Sequence, residues 1–190
     1  MGGIMTENSL SADAGAVLAF WFEEHGPKDW FAKNPAFDAE IGRRFGALHA
    51  RAARGELDSW AKRPRGALAL VIVLDQFSRN MQRDSVKAFA CDAKARDLAR
   101  RAVDRGFDGQ LDDREKTFLY LPFEHSEDPR DQELSIRCFA RLADKSLLGW
   151  AEKHKAIIDR FGRYPHRNAA LGRASTPEEI AFLAEPGSSF

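Results

Sequence analysis

The sequence predicts an all-α protein of about eight helices packed as antiparallel neighbours. Apolar residues recur at helical spacing in one segment after another, and strong cap signals punctuate the segments. No segment shows sustained period-two alternation or an Asn-Gly hairpin signal. Short turns between successive helices make chain neighbours antiparallel.

The elements follow in order. Residues 14–25 place Val17, Leu18, Trp21 and Phe22 on one face, with Asp13 as N-cap and Gly26-Pro27 as the stop. Asn34 caps and Pro35 opens a helix to about Arg54, striped with Phe37, Ile41, Phe45 and Leu48 and ended by Gly55. Pro64 opens the next helix, whose residues 67–74 are apolar all round, so it belongs at the centre. A buried strand is the alternative for so short a run, but Leu70, Val73, Leu74, Phe77 and Met81 keep helical spacing through its polar end. Residues 86–105 read as one amphipathic helix closing at Gly106. Asp112 or Asp113 caps a helix to about Glu127, with Pro129 marking its end. Residues 130–144 turn Ile136, Phe139, Ala140 and Leu142 inward; residues 147–161 do so with Trp150, His154, Ile157, Ile158 and Phe161. Thr176-Pro177-Glu178-Glu179 is a capping box with proline in the first turn, and that last helix stops at Pro186-Gly187.

A chain of 190 residues, 44% apolar, suits one globular domain, residues 14–190, behind a flexible N-terminus, residues 1–13. Twenty-nine basic residues balance twenty-nine acidic ones, which argues against nucleic acid or an anionic membrane as the main partner. Cys91 and Cys138 stand far apart, outside any C-x-x-C or zinc pattern, and read as buried reduced thiols. No apolar run approaches the ~18 residues of a membrane span. The first thirteen residues lack the apolar core of a secretory signal. Met1-Gly2 with Thr6 fits the myristoylation pattern, but that pattern is short and recurs by chance. The expectation is a soluble cytoplasmic protein.

Three polar clusters stand out on this apolar scaffold. The first closes the central helix: Asp75 and Arg79 are four apart, can pair, and continue the stripe of Leu68, Val71 and Ile72, with Asn80 beside them. Either they form a buried ion pair that fixes helix register, or Asp75 holds Arg79 towards a ligand. The second cluster is Pro122-Phe123-Glu124-His125-Ser126-Glu127. His125 beside Glu124 and Glu127 suits a general base, a metal ligand or a hydrogen-bonded core residue, and Pro122 suggests a kink. The third is Arg160-Phe161-Gly162-Arg163-Tyr164-Pro165-His166-Arg167-Asn168, followed by Arg173. It is a basic, aromatic turn behind a helix that carries His154. Arg163, Arg167 and Arg173 could converge on an anion with His166 between them, or pair with acids and lock the C-terminal helices. No H-E-x-x-H, P-loop, G-x-S-x-G or G-x-G-x-x-G occurs; no metal site is expected, and the residues name no cofactor.

Residues 74–80, 122–127, 160–168, 171–173, 175–179 and 186–190 together resemble the bacterial family described as domain of unknown function 924. Trp21-Phe22 and Trp30-Phe31 fit it as well, and the likeness runs in order from about residue 14 to 190. The resemblance implies a tetratricopeptide-like stack of helix pairs and no particular reaction. It also places Phe190 at the end of a motif, offering its carboxylate to Arg163 or Arg173.

Two functions fit. One is a site for a small anionic molecule built from Asp75, Arg79, Asn80, His125, Glu127, His154, Arg163, His166, Arg167, Asn168 and Arg173. There arginines would hold the anion, and His125, His166 or Asp75 would handle protons. The other is a tetratricopeptide-like groove for an acidic or C-terminal peptide. The compactness of the polar motifs favours the small ligand.

Overall fold

The computed structural model describes residues 10–188. Among them there is no strand. The helices are α1 (Ala12–Ala19), which runs on into a π-helical turn Phe20–Glu24, α2 (Pro27–Trp30), α3 (Pro35–Ala53), α4 (Pro64–Met81), α5 (Asp92–Asp104), α6 (Asp113–Glu124), α7 (Pro129–Phe139), α8 (Lys145–Phe161) and α9 (Pro177–Leu183). The myristoylation pattern at Met1, Gly2 and Thr6 and the docking of Phe190 fall outside the described residues.

Each helix from α3 to α8 packs on its neighbour in the chain, and α4 also touches α1 and α6. As its all-round apolarity requires, α4 is the central helix. Leu68, Leu70, Val71, Ile72, Val73 and Leu74 are all shut off from solvent, each contributing roughly 1.5–3 kcal/mol of burial. Its first turn is tight. A Cβ on Gly66 would lie 2.3 Å from the Trp60 carbonyl oxygen, so only glycine lets α4 approach the preceding 3-10 turn Asp58–Lys62. The aromatic pairs near the N-terminus also meet. Trp30 donates its indole N–H to the Trp21 carbonyl at 3.0 Å, and both rings pack on Phe118 of α6.

The caps act as the sequence proposes at Asn34, Asp112 and Thr176, the last two as complete capping boxes. Elsewhere the chain departs from the expectation. α1 is capped by Ser11 rather than Asp13, whose carboxylate lies in the first turn, so helix extends into the segment expected to be flexible. The segment 86–105 is not one helix. A 3-10 turn, Val86–Phe89, precedes a break, and α5 starts at Asp92. α6 runs through Pro122 to Glu124 as one helix.

On α7 the buried side is Asp131, Gln132, Ser135, Cys138 and Phe139, while Ala140 is exposed and Ile136 half-buried. Apolarity misplaces this stripe because its buried polar members serve the chain. Gln132 donates its amide to the carbonyls of Glu124 and Ser126, and Asp131 pairs with Arg96 and Arg100. Trp150 is 49% exposed and lies under the Lys153 ammonium instead of facing the core. Cys91 and Cys138 are both buried and free. Among the described residues no helix is long and apolar enough to cross a membrane.

Candidate functional site

The polar end of α4, the end of α6, the start of α5 and the turn after α8 meet at one cluster. Asp75 is its centre. The carboxylate is 1% exposed and fully used: Oδ1 accepts from His125 Nδ1 at 2.9 Å and pairs with Arg79 Nη1 at 3.0 Å, and Oδ2 accepts from Gln76 at 2.6 Å. Burial works to raise its pKa, but Arg79 and His125 outweigh that and hold it well below the usual carboxylate range. Arg79 is equally occupied. It makes two parallel hydrogen bonds to Asp92, at 3.0 and 3.1 Å, and one to the Asp75 carbonyl. Its first contact was legible in the i, i+4 spacing; Asp92 was not, because the break before α5 that brings it here is hidden in an amphipathic pattern.

Arg167 differs. It sits in the 3-10 turn Pro165–Arg167, is 7% exposed, and its guanidinium lies between two rings, 4.8 Å from Phe89 and 4.5 Å from Tyr164. Its nearest acid is Asp92 at 3.7 Å, already claimed by Arg79. Among the described residues the guanidinium makes no hydrogen bond, and Nε is buried without an acceptor. Burial, followed by repulsion from Arg79, pushes its pKa down.

The imidazoles around it are neutral at neutral pH. Burial and then Arg79 lower His125; burial takes His154 to about 3; burial and then Arg167 take His166 to about 4. Asp75 can only accept, so His125 carries its proton on Nδ1 and its lone pair on Nε2. His154 gives Nδ1–H to the Trp150 carbonyl at 2.9 Å and lies 3.3 Å from Glu124, whose pKa burial and the charge of Asp75 push up to about 8.

The remaining residues of the candidate set bind the fold rather than the cluster. Glu127 takes both prongs of Arg173, at 2.8 and 2.9 Å, and the Tyr164 N–H at 2.8 Å. Arg163 takes both oxygens of Glu179, at 2.6 and 2.8 Å, and the Ala174 carbonyl at 2.9 Å. Asn168 joins Ser175, Glu179 and Arg173, and so fastens α9 to the turn. Asn80 donates to Asp38 at 2.8 Å, beside Arg83, and ties α4 to α3. For Arg163 and Arg173, then, the contacts are those of a C-terminal lock.

Two surface cavities lie away from the cluster. One, of about 160 Å³, is lined by Asp58, Lys62, Leu98, Arg101 and Arg105 among others. The other, of about 510 Å³, runs from Leu10 to Trp60 and Gly66. Among the described residues the histidine and carboxylate group close enough to share a metal is Glu24, His25 and Glu40. Arg44 already pairs with both of those glutamates, so a fixed cation stands where an ion would go.

Residues 17–187 match the family of bacterial proteins of unknown function DUF924, and the chain belongs to it. Among solved structures it is similar to a protein of unknown function, ATU0120 from Agrobacterium tumefaciens. The two share 40% identity and a TM-score of 0.88, over 93% of this chain and 99% of that one. No curated protein matches the chain.

Proposed function

We propose that this protein binds a small anionic ligand, a carboxylate or phosphate, at Arg167. The supporting observation is the state of that guanidinium: nine-tenths buried and, among the described residues, without a hydrogen bond of its own. Leaving a buried donor unmet costs about 1–3 kcal/mol, more when the group is charged. A planar fork of N–H donors is matched by two oxygens of a carboxylate or phosphate. The clamp that orients it is assembled from Phe89, Tyr164 and Asp92, while Arg79, already paired with Asp75 and Asp92, lies against the same Phe89 ring.

The proposal is narrower than the full set of candidate residues. Arg167, Arg79, Asp75, His125 and His166 belong to the ligand end, and Asn80, Glu127, Arg163, Asn168 and Arg173 hold the walls. A tetratricopeptide-like peptide module shares the same anchor chemistry, since a peptide C-terminus is also a carboxylate. A thermal-shift series distinguishes them, using inorganic phosphate, succinate and a short acidic peptide on wild type and Arg167→Met. A saturable rise in Tm with phosphate or succinate, absent in the variant, supports the small-ligand reading. A rise with the peptide alone moves it to the peptide module. No rise with any probe overturns anion binding at Arg167.

A further inference from the structure

We propose that His125 is a general base for the anion bound at Arg167, with Asp75 as its positioning residue. This rests on the anion reading above and adds a chemical step to it. Three features of the geometry carry the proposal.

The first is tautomer control. Asp75 is saturated by Arg79, Gln76 and His125 and can accept only, so the His125 proton is fixed on Nδ1 at 2.9 Å and the ring cannot turn without breaking that bond. The second is a basic atom left available. Nε2 makes no hydrogen bond among the described residues and is not sealed inside the protein, the His125 side chain keeping 15% of its surface open. The third is location: His125, Asp75, Arg79, Asp92 and Arg167 belong to one polar cluster, joined in that order by contacts of 2.9, 3.0, 3.0 and 3.7 Å. An orienting carboxylate, an imidazole and a free basic nitrogen are the parts of a general base. Here they belong to the same polar cluster as the proposed anion anchor.

In the step itself an X–H bond of the bound anion breaks, its electron pair stays on X, and the proton passes to Nε2. The imidazolium so formed keeps Nδ1–H on Asp75, whose negative charge stabilises it. Burial keeps the ring neutral at the outset, and so ready to accept. The charged and titratable groups facing His125 are Asp75 and Arg79 on α4, Arg167 and His166 in the turn, and His154 on α8. Arg79 and Arg167 oppose the imidazolium, Asp75 favours it, and an anion on Arg167 tips the balance towards it.

Nitrogen-15 NMR of the full chain tests this, with inorganic phosphate as probe. The chain has five histidines, and His125→Gln assigns the resonance. The proposal expects the Nδ1–H tautomer in the free protein and a phosphate-dependent response of the Arg167 Nε. It also expects a rise in the His125 titration midpoint, because the added negative charge offsets the repulsion from Arg79 and Arg167. In Asp75→Asn the tautomer preference is lost while phosphate still binds. Should that variant fail to fold, the wild-type titration alone decides. A response at Arg167 with no change in His125 overturns the general base and leaves the anion site standing. No response at Arg167 overturns both.

Discussion

Replacing Arg167 with Met separates a binding role from a structural one. The substitution keeps the hydrocarbon stem and removes the guanidinium. What is lost is a 3.7 Å ion pair with Asp92 and two ring contacts, at 4.8 Å to Phe89 and 4.5 Å to Tyr164. Asp92 stays neutralised, because Arg79 holds it with two hydrogen bonds. Together the lost contacts are worth roughly 1–3 kcal/mol. What is relieved is a buried charge whose Nε has no acceptor, about 1–3 kcal/mol for the unmet donor, together with the repulsion from Arg79. The two sides cancel to within about 1 kcal/mol, so the variant should melt within about 4 °C of wild type. Equilibrium urea denaturation measures it. A loss above about 3 kcal/mol, the size expected when a partner in a buried charge network is removed, would refute the reasoning and return Arg167 to the fold.

Other substitutions test the rest of the account. Arg173→Met breaks the fork to half-buried Glu127 and should cost about 1–2 kcal/mol in urea while leaving the phosphate response intact. Arg163→Ala should lower Tm as well, because Glu179 then loses the partner that holds its pKa down to about 2; an unchanged Tm would free Arg163 for a ligand role. Gly66→Ala should cost at least about 2 kcal/mol, since its Cβ meets a backbone oxygen that cannot move aside. Glu124 sets a pH dependence. Its folded pKa, about 8, lies above the ordinary 4.5, so the native state binds the extra proton between those values. Stability from this group is full below about pH 4.5 and is lost as pH rises through about 8. Buried neutral His154 and His166 act in the opposite sense below their ordinary value of 6.5. The wild type should therefore weaken from about pH 6.5 to 8, by roughly 1 kcal/mol, and Glu124→Gln should not.

Most helices, and the caps at Asn34, Asp112 and Thr176, were legible because periodicity and capping act within a few residues. Asn34, Thr176 and the all-apolar run of α4 needed no tertiary information. The buried side of α7 was not legible. Asp131 and Gln132 go inward to meet Arg96, Arg100 and the carbonyls at the end of α6, partners on other elements that the α7 pattern does not reveal. Trp150 was misplaced for the complementary reason: a large ring at helical spacing reads as core, yet it lies outside under Lys153.

The candidate site shows the same division. Asp75 with Arg79 follows from i, i+4 spacing, and His125 from its place at a helix end. Nothing local says that Arg163 and Arg173 are forked onto Glu179 and Glu127 while Arg167 has only a 3.7 Å pair with Asp92. All three stand in one basic stretch, and only the packing of α9 and the α6–α7 turn decides which are hydrogen-bonded to an acid. Asp92 and Phe89 escaped notice because the break between Phe89 and Asp92 is buried in an amphipathic pattern that continues on both sides.

The most direct measurement is a crystal structure of the protein grown with sodium selenate, whose selenium marks a bound oxyanion by anomalous scattering. The account predicts a peak within about 4 Å of the Arg167 guanidinium, and its loss in Arg167→Met crystals. Selenate peaks elsewhere and none at Arg167, or the same peak in the variant, would contradict it.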